Sequence, residues 1–389
     1  MRIEFSNWRK VGTTQLYQLA LGTMAFFYGL KQIYIFSSSY LIEFCNDVVQ
    51  LVAYFILIYL ILHRSFKSKW MKYAFMAIVV IFIGMEQSNS TSWLRYFLLI
   101  IAARDISYKK IMRTLASVYM CVFALSCILY MFGISDSGIA RRAAISLGFS
   151  HPNGASLMLI VIIFLFLCSK NSITYQRVLI VCGMAALIGI VLKTRVAVVC
   201  LLISPILYVI IKHGCENNKK IIKFFSCGSQ LIVFLISVLL VVLYPLRIYD
   251  PFRSALDILF MYRPYLNFNN IMRYGVSLWG QNVTLYNTNE YVYNYYGGFT
   301  TNQKFNTVDN AYIAGLITIG IIPMIMLFIC FIAVTNKAWV NKNYTILTIS
   351  VCFSMYAFIE SACNEAFYMF PYFYLLAFDD INFDKEDST

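Results

Sequence analysis

A chain of 389 residues that is 60% hydrophobic and only 13% charged lacks the charge to cover a soluble surface, where roughly 25% is usual. Its mean hydropathy is +0.71, and the apolar residues come in continuous blocks near bilayer length. That pattern excludes a soluble domain and, for want of alternation, a β-barrel. The net charge of +13 does not point to nucleic acid, because Lys and Arg cluster between apolar blocks, where they act as topology signals.

In chain order, blocks of roughly 16–22 apolar residues predict an all-α integral membrane protein with about 12 transmembrane helices. The spans fall near 12–30, 44–62, 70–85, 92–103, 114–133, 154–169, 178–194, 196–211, 226–246, 310–334, 344–360 and 363–378. Arg2, Arg9 and Lys10 are basic enough to open a signal peptide, but no small-residue cleavage site follows Phe26-Phe27, so the first span is read as retained. Basic links alternate along the chain: the N-terminus, His63–Lys72, Arg104–Arg113, Lys170–Arg177, Lys212–Lys223 and Lys337–Lys342. Placing these in the cytoplasm puts about 20 of the 31 Lys and Arg inside and leaves both termini cytoplasmic. The chain then divides into helices over 1–246, a large outer loop over 247–308, helices over 309–378 and a cytoplasmic tail over 379–389. The eleven Cys lie mostly inside apolar blocks with no CxxC spacing, so they read as small core residues, with no metal and no disulfide framework.

A minority of basic residues opposes this bias: Arg141, Arg142, Lys193, Arg195, Arg247, Arg253, Arg263 and Arg273. Each alone fits a headgroup contact. Together, near membrane depth where unpaired charge is costly, they read as an outward-facing anion site. The outer loop from Arg247 to Val308 is long enough to need a job. Its first part reads as two short helices broken at Pro264, with Gly275 as a C-terminal stop. Ile258, Leu259, Tyr262, Tyr265, Leu266 and Ile271 suit a membrane surface. Its second part, Leu285 to Phe299, is rich in Tyr, Asn and Thr. That mixture suits the C–H faces and hydroxyls of sugar rings, or an ordinary interfacial loop.

Of the three His, only His151 falls on the outer side, in Gly148-Phe-Ser-His-Pro-Asn-Gly154 at the entrance to a span. Its imidazole is a proton acceptor suited to neutral pH, and a residue before Pro152 equally suits a helix start. Asp309-Asn310 also opens a span, where Asp is a good N-cap or a rival base. Glu86, in the second outer link, is a further carboxylate of that kind.

Four segments carry a resemblance. Ser146–Ser156 with its His-Pro-Asn core, Lys193-Thr-Arg-Val-Ala197, Met261-Tyr-Arg263 followed by Tyr274-Gly-Val-Ser-Leu-Trp-Gly280, and Asp309-Asn-Ala-Tyr312 with Gly320 lie in one order along roughly residues 90–370. Together they resemble the Wzy-type bacterial polymerases of O-antigen and capsule repeat units, which are related to the O-antigen ligases. Arg142 and Gly154, like Arg263 and Gly275, have eleven residues between them, where some members are described with ten.

The resemblance implies a GT-C-like glycosyltransferase of the bacterial cell membrane; no outer Asp-x-Asp pair appears in the sequence, so no required metal is expected, and no cofactor. Such an enzyme moves a growing glycan from undecaprenyl diphosphate to the non-reducing end of a new lipid-linked repeat unit on the outer face. Its partners are the lipid-linked oligosaccharide, membrane lipid, a chain-length regulator and a flippase, not nucleic acid. His151 is then expected as the base, with Arg195 and Arg263 on the diphosphate, whose charge suits the planar guanidinium fork. Arg142 and Arg141 lie nearby, and Asn153, Asp309 and Asn310 are substrate contacts. A flippase or transporter of the same lipid-linked oligosaccharide and an O-antigen ligase are the alternatives.

Overall fold

The computed structural model describes residues 2–65, 92–135, 145–170, 173–245, 263–283, 308–361 and 369–378. These are dominated by helix, and among the described residues β-structure amounts to two isolated bridges, Ile33 with Phe149 and Ser107 with Phe378. Seven described helices are long and apolar enough to cross a bilayer, so the chain is an all-α protein with the helices of a membrane-embedded one. The chain divides into two compact units, taken in turn.

The first unit contains α1 (Arg2–Leu30), α2 (Tyr40–Ser65), α3 (Ser92–Ala102), α4 (Tyr108–Met131) and α5 (Pro152–Lys170). α6 (Tyr175–Leu187) comes next, continued by a π-helical turn over Ile188–Leu192. α1 and α4 run parallel: Gln18 Nε2 donates to Thr114 Oγ1 at 2.9 Å, and Gly29 lies beside Val122. α5 packs antiparallel on α4, with Cys168 near its end lying against Tyr108 at the start of α4. Lys109, Lys110, Arg113 and Lys170 therefore gather at one end of this unit. The segment 370–378 docks there too. Phe378 donates its N–H to the Ile106 carbonyl and accepts from the Tyr108 N–H, and the Tyr372 and Tyr374 rings meet Tyr96 and Tyr108.

α3 falls on the short span expected at 92–103, with about 16 Å of helix described against a hydrocarbon core of about 30 Å, while the last span takes another form. The described part of the last span is a 3-10 helix, Phe370–Leu375, rather than an α-helix. The span expected at 70–85 lies outside the described residues.

α7 (Arg195–Glu216) passes from the first unit into the second. After it come α8 (Lys220–Leu243), α9 (Arg263–Tyr274), α10 (Ala311–Thr318), α11 (Ile321–Val340) and α12 (Tyr344–Ala357). α8 is the centre of the second unit, packing against α9, α10, α11 and α12. α11 lies antiparallel to it: Thr335 Oγ1 donates to the Cys227 carbonyl, and the Phe234 and Phe328 rings pack tilted with centroids 4.7 Å apart. The Cys215 thiol meets the Trp339 carbonyl at 3.4 Å, which joins the end of α7 to the end of α11. His213, Lys219, Lys220, Lys337 and Lys342 thus share one end of the second unit.

The span expected at 310–334 is broken. α10 stops at Thr318 and α11 begins at Ile321, with Gly320 between them at φ +97°. The break is fitted by the stretch after α9. The carbonyls of Ser277 and Leu278 accept the first N–H groups of α11, from Ile321 and Ile322, each at 3.0 Å. The N–H of Gln281 donates to the Thr318 carbonyl at 3.2 Å. Helix ends leave such groups without intrahelical partners, and here main chain remote in sequence supplies them.

Candidate functional site

The segment that carries His151 is held chiefly by its backbone. Gly148 lies at φ +83°, and the chain on either side of it pairs with the end of α1: Tyr34 N–H to the Gly148 carbonyl at 2.9 Å and Ser150 N–H to the Gln32 carbonyl at 3.0 Å. Ser126 and Ser135 donate to the carbonyls of Leu147 and Gly148, and Ile145 N–H donates to Val191 at the π turn. His151 stands at the end of the unit opposite Lys109, Lys110 and Lys170. It is the N-cap of α5: its carbonyl accepts from Gly154 and Ala155, and Pro152 takes the first helical position, where its missing N–H costs nothing.

The imidazole caps as well. Its Nδ1 accepts the N–H of Asn153, the second residue of α5, at 3.1 Å. A neutral ring with Nδ1 accepting carries its proton on Nε2, so that face is a hydrogen-bond donor. To take up a proton the ring must surrender this contact. The helix-start role and the donor role are thus built together.

One turn into α5, Ser156 Oγ lies 2.6 Å from Thr194 Oγ1. Thr194 precedes Arg195, the first residue of α7, and comes after Lys193, which adopts φ +52°. The first turns of α5 and α7 therefore meet at the end of the unit that bears His151, with Lys193 and Arg195 exposed at the junction. Two helix starts and two cations form a positive environment suited to an anion.

In the second unit, Arg263 Nε donates to Asp309 Oδ2 at 3.0 Å, with about a fifth and a quarter of the two side chains exposed. Asp309 is therefore an ion-pair partner, and the cap of α10 is Asn310. Its Oδ1 accepts from the N–H groups of Tyr312 and Ile313 at 2.9 and 3.1 Å, while its Nδ2 donates to Ser237 Oγ on α8 at 3.0 Å. Arg263, Asn310 and Ser237 line a small cleft with Pro264, Asn267 and Phe358. Asn267 is 7% exposed and its Oδ1 is buried with no hydrogen-bond partner. Sequence reasoning passed over Asn267 and Ser237, since an Asn in a polar loop and a Ser in an apolar span carry no spacing signal. It also passed over Arg95, buried on α3 with Nη2 donating to Gln50 Oε1 at 3.2 Å.

Arg141, Arg142, Arg247, Arg253, Glu86 and the Tyr-rich stretch 285–299 lie outside the described residues, as do Ile258, Leu259 and Tyr262. Among the described residues no group of three or more His, Cys, Asp or Glu is placed to hold a metal ion. Comparison of the chain with family models, curated proteins and solved structures finds no match in any of them.

Proposed function

We propose that this chain is a glycosyltransferase of a bacterial cell membrane that polymerises surface-polysaccharide repeat units. It carries about twelve spans with both termini cytoplasmic. It joins a growing glycan, released from undecaprenyl diphosphate, to the non-reducing end of the next lipid-linked repeat unit. The observation that carries the reading is the pairing of the four resembling segments. Ser146–Ser156 meets Lys193–Ala197 through the Ser156–Thr194 contact. The Arg263 to Gly280 stretch meets Asp309 to Gly320 through the ion pair and the bonds at the α10–α11 break. Within each unit, segments far apart in sequence adjoin at charged helix ends, which supports a functional role for each pair.

The chemistry assigned is transfer at an anomeric carbon. The bond to the diphosphate oxygen breaks, a bond to the acceptor hydroxyl oxygen forms, and the hydroxyl proton leaves with the departing diphosphate or through His151 once its cap is released. Lys193, Arg195 and the Nε2–H of His151 are assigned to the diphosphate, where cations and donors aimed at developing charge are worth most. Arg142 and Arg141 are kept as further contacts on the same anion. Asn153, Arg263, Asp309 and Asn310 are assigned to the rest of the substrate. A chain-length regulator and a flippase are the partners such a reaction needs. Neither a metal nor a cofactor is invoked.

Deleting the chain from its host tests the reading. Surface glycan is expected to persist as single repeat units. No surface glycan at all points to a flippase of the lipid-linked oligosaccharide, and whole polymers trapped on the carrier point to a ligase; either result overturns the assignment.

A further inference from the structure

α2 carries polar side chains along one edge, at Glu43, Asp47, Gln50 and Tyr54, a spacing that returns to the same side of a helix. Neighbouring groups answer all but one of them. Lys31 Nζ reaches Glu43 Oε1 at 3.4 Å. Gln50 Oε1 accepts from Arg95 Nη2 on α3 and from the Tyr54 hydroxyl, each at 3.2 Å. Asp47, between them, meets no cation among the described residues; its side-chain hydrogen bond comes from the Asn46 amide, to Oδ1 at 3.2 Å. It is exposed on the outward side of α2, where Phe44, Val48 and Leu51 are exposed too. Tyr40–His63 forms a span of 24 residues, about 36 Å of helix against about 30 Å of hydrocarbon. Centred in the bilayer, that span puts Glu43 near the boundary and Asp47 about 7 Å inside it. Charged side chains at such depth turn into a bundle or pair with an opposite charge, because lipid makes them costly. Within its own unit Asp47 does neither.

We infer that the edge of α2 around Asp47 is a docking surface for a transmembrane helix of another protein, one that presents a Lys or Arg at the same depth. The cation of that helix pairs with the Asp47 carboxylate, and its apolar flanks pack on Phe44, Val48 and Leu51. Charge decides the occupant. A lipid ammonium group lies at headgroup level, above Asp47, whereas a basic side chain on a helix is carried to whatever depth its register sets. A second copy of this chain brings no matching cation. α2 begins at the end of the first unit that bears His151, where Tyr34 is bonded to Gly148, and the cations there, Lys31, Lys193 and Arg195, stand at or beyond helix termini. The docking surface stands whatever reaction the chain catalyses.

The test is photo-crosslinking of the full chain, in phosphatidylcholine vesicles, to a synthetic polyleucine transmembrane peptide. The peptide carries one Arg at the depth of Asp47 and a benzophenone group one turn away. Cross-links are expected to fall on Tyr40–Ser65. Their yield is expected to drop about fivefold when Leu replaces the Arg of the peptide, and equally in Asp47→Asn, the ratio for an interhelical polar contact worth about 1 kcal/mol. Asp47→Arg is expected to lose the Arg peptide and to gain a peptide with Glu in its place, a reversal that misfolding cannot mimic. The inference is overturned if the Arg and Leu peptides cross-link alike, if Asp47→Asn keeps the full yield, or if Asp47→Arg shows no preference for the Glu peptide. Loss of the Arg-over-Leu preference in phosphatidylethanolamine vesicles would overturn it in favour of a lipid ammonium group. A chain that is dimeric without peptide and becomes monomeric as Asp47→Asn would overturn it in favour of a second copy.

Discussion

His151 owes its place to Gly148, whose φ of +83° lets the chain turn against the carbonyl of Ser126. A Cβ at that position would stand 2.7 Å from the Ser126 oxygen, so neither the dihedral nor the space suits another residue. Gly148→Ala is expected to cost about 1–3 kcal/mol and to shorten the polymer, since it moves the N-cap of α5. The readouts are the unfolding midpoint in detergent and the length distribution of surface glycan. A pair of variants separates the roles of the imidazole. His151→Ala loses both cap and donor and is expected to abolish polymer. His151→Asn keeps an acceptor for the Asn153 N–H and an N–H to present outward, and is expected to retain part of it. Equal loss in both would make proton uptake the dominant role and return His151 to the base expected from its sequence position. The residue type and its place at a helix start were legible in Gly148–Gly154. The tautomer was not, because it depends on where one backbone N–H points.

α9 was readable because its signals are local: the helix begins at Arg263 with Pro264 in its first turn and ends at Gly275, φ +69°. The break between α10 and α11 was not. Hydropathy sums over a window and cannot register a left-handed dihedral at Gly320, and the groups that satisfy Ile321 and Ile322 come from Ser277 and Leu278. The expected resemblance at Tyr274–Gly280 thus acquires a mechanical meaning. Gly280, at φ +95°, and Gly320 press backbone to backbone; a Cβ on Gly280 would strike the carbonyls of Thr318 and Ile319, and one on Gly320 would strike the chain at Trp279 and Gly280. Gly320→Ala and Gly280→Ala are each expected to destabilise the second unit by about 2 kcal/mol or more. The double variant is expected to fall short of the sum, as both act on one contact. A midpoint unchanged in either single variant in a detergent unfolding series would show that the break tolerates a side chain.

At the scale of the whole chain, the class was legible with little effort, because few charges and long apolar blocks leave no other solution. The alternation of basic links was also legible, and each unit gathers its Lys clusters at a single end, away from His151 in the first and from the Arg263–Asp309 pair in the second. The number of crossings was less so, since α3 and α12, with 11 and 14 residues, are apolar yet short. Epitope tags inserted between Asn217 and Asn218 and within 284–307 are expected to face opposite sides of the membrane, the first being protected in intact cells. Both exposed at the cell surface would reverse the assigned orientation. The bonds that Ser277, Leu278 and Gln281 make at the α10–α11 break have one more effect: they moor the chain midway between α8 and α10. Residues 277–281 on one side and Asp309 with Asn310 on the other are therefore each fixed to the helices by bonds of their own, so either anchor can be removed by substitution and its share of the second unit's stability read separately.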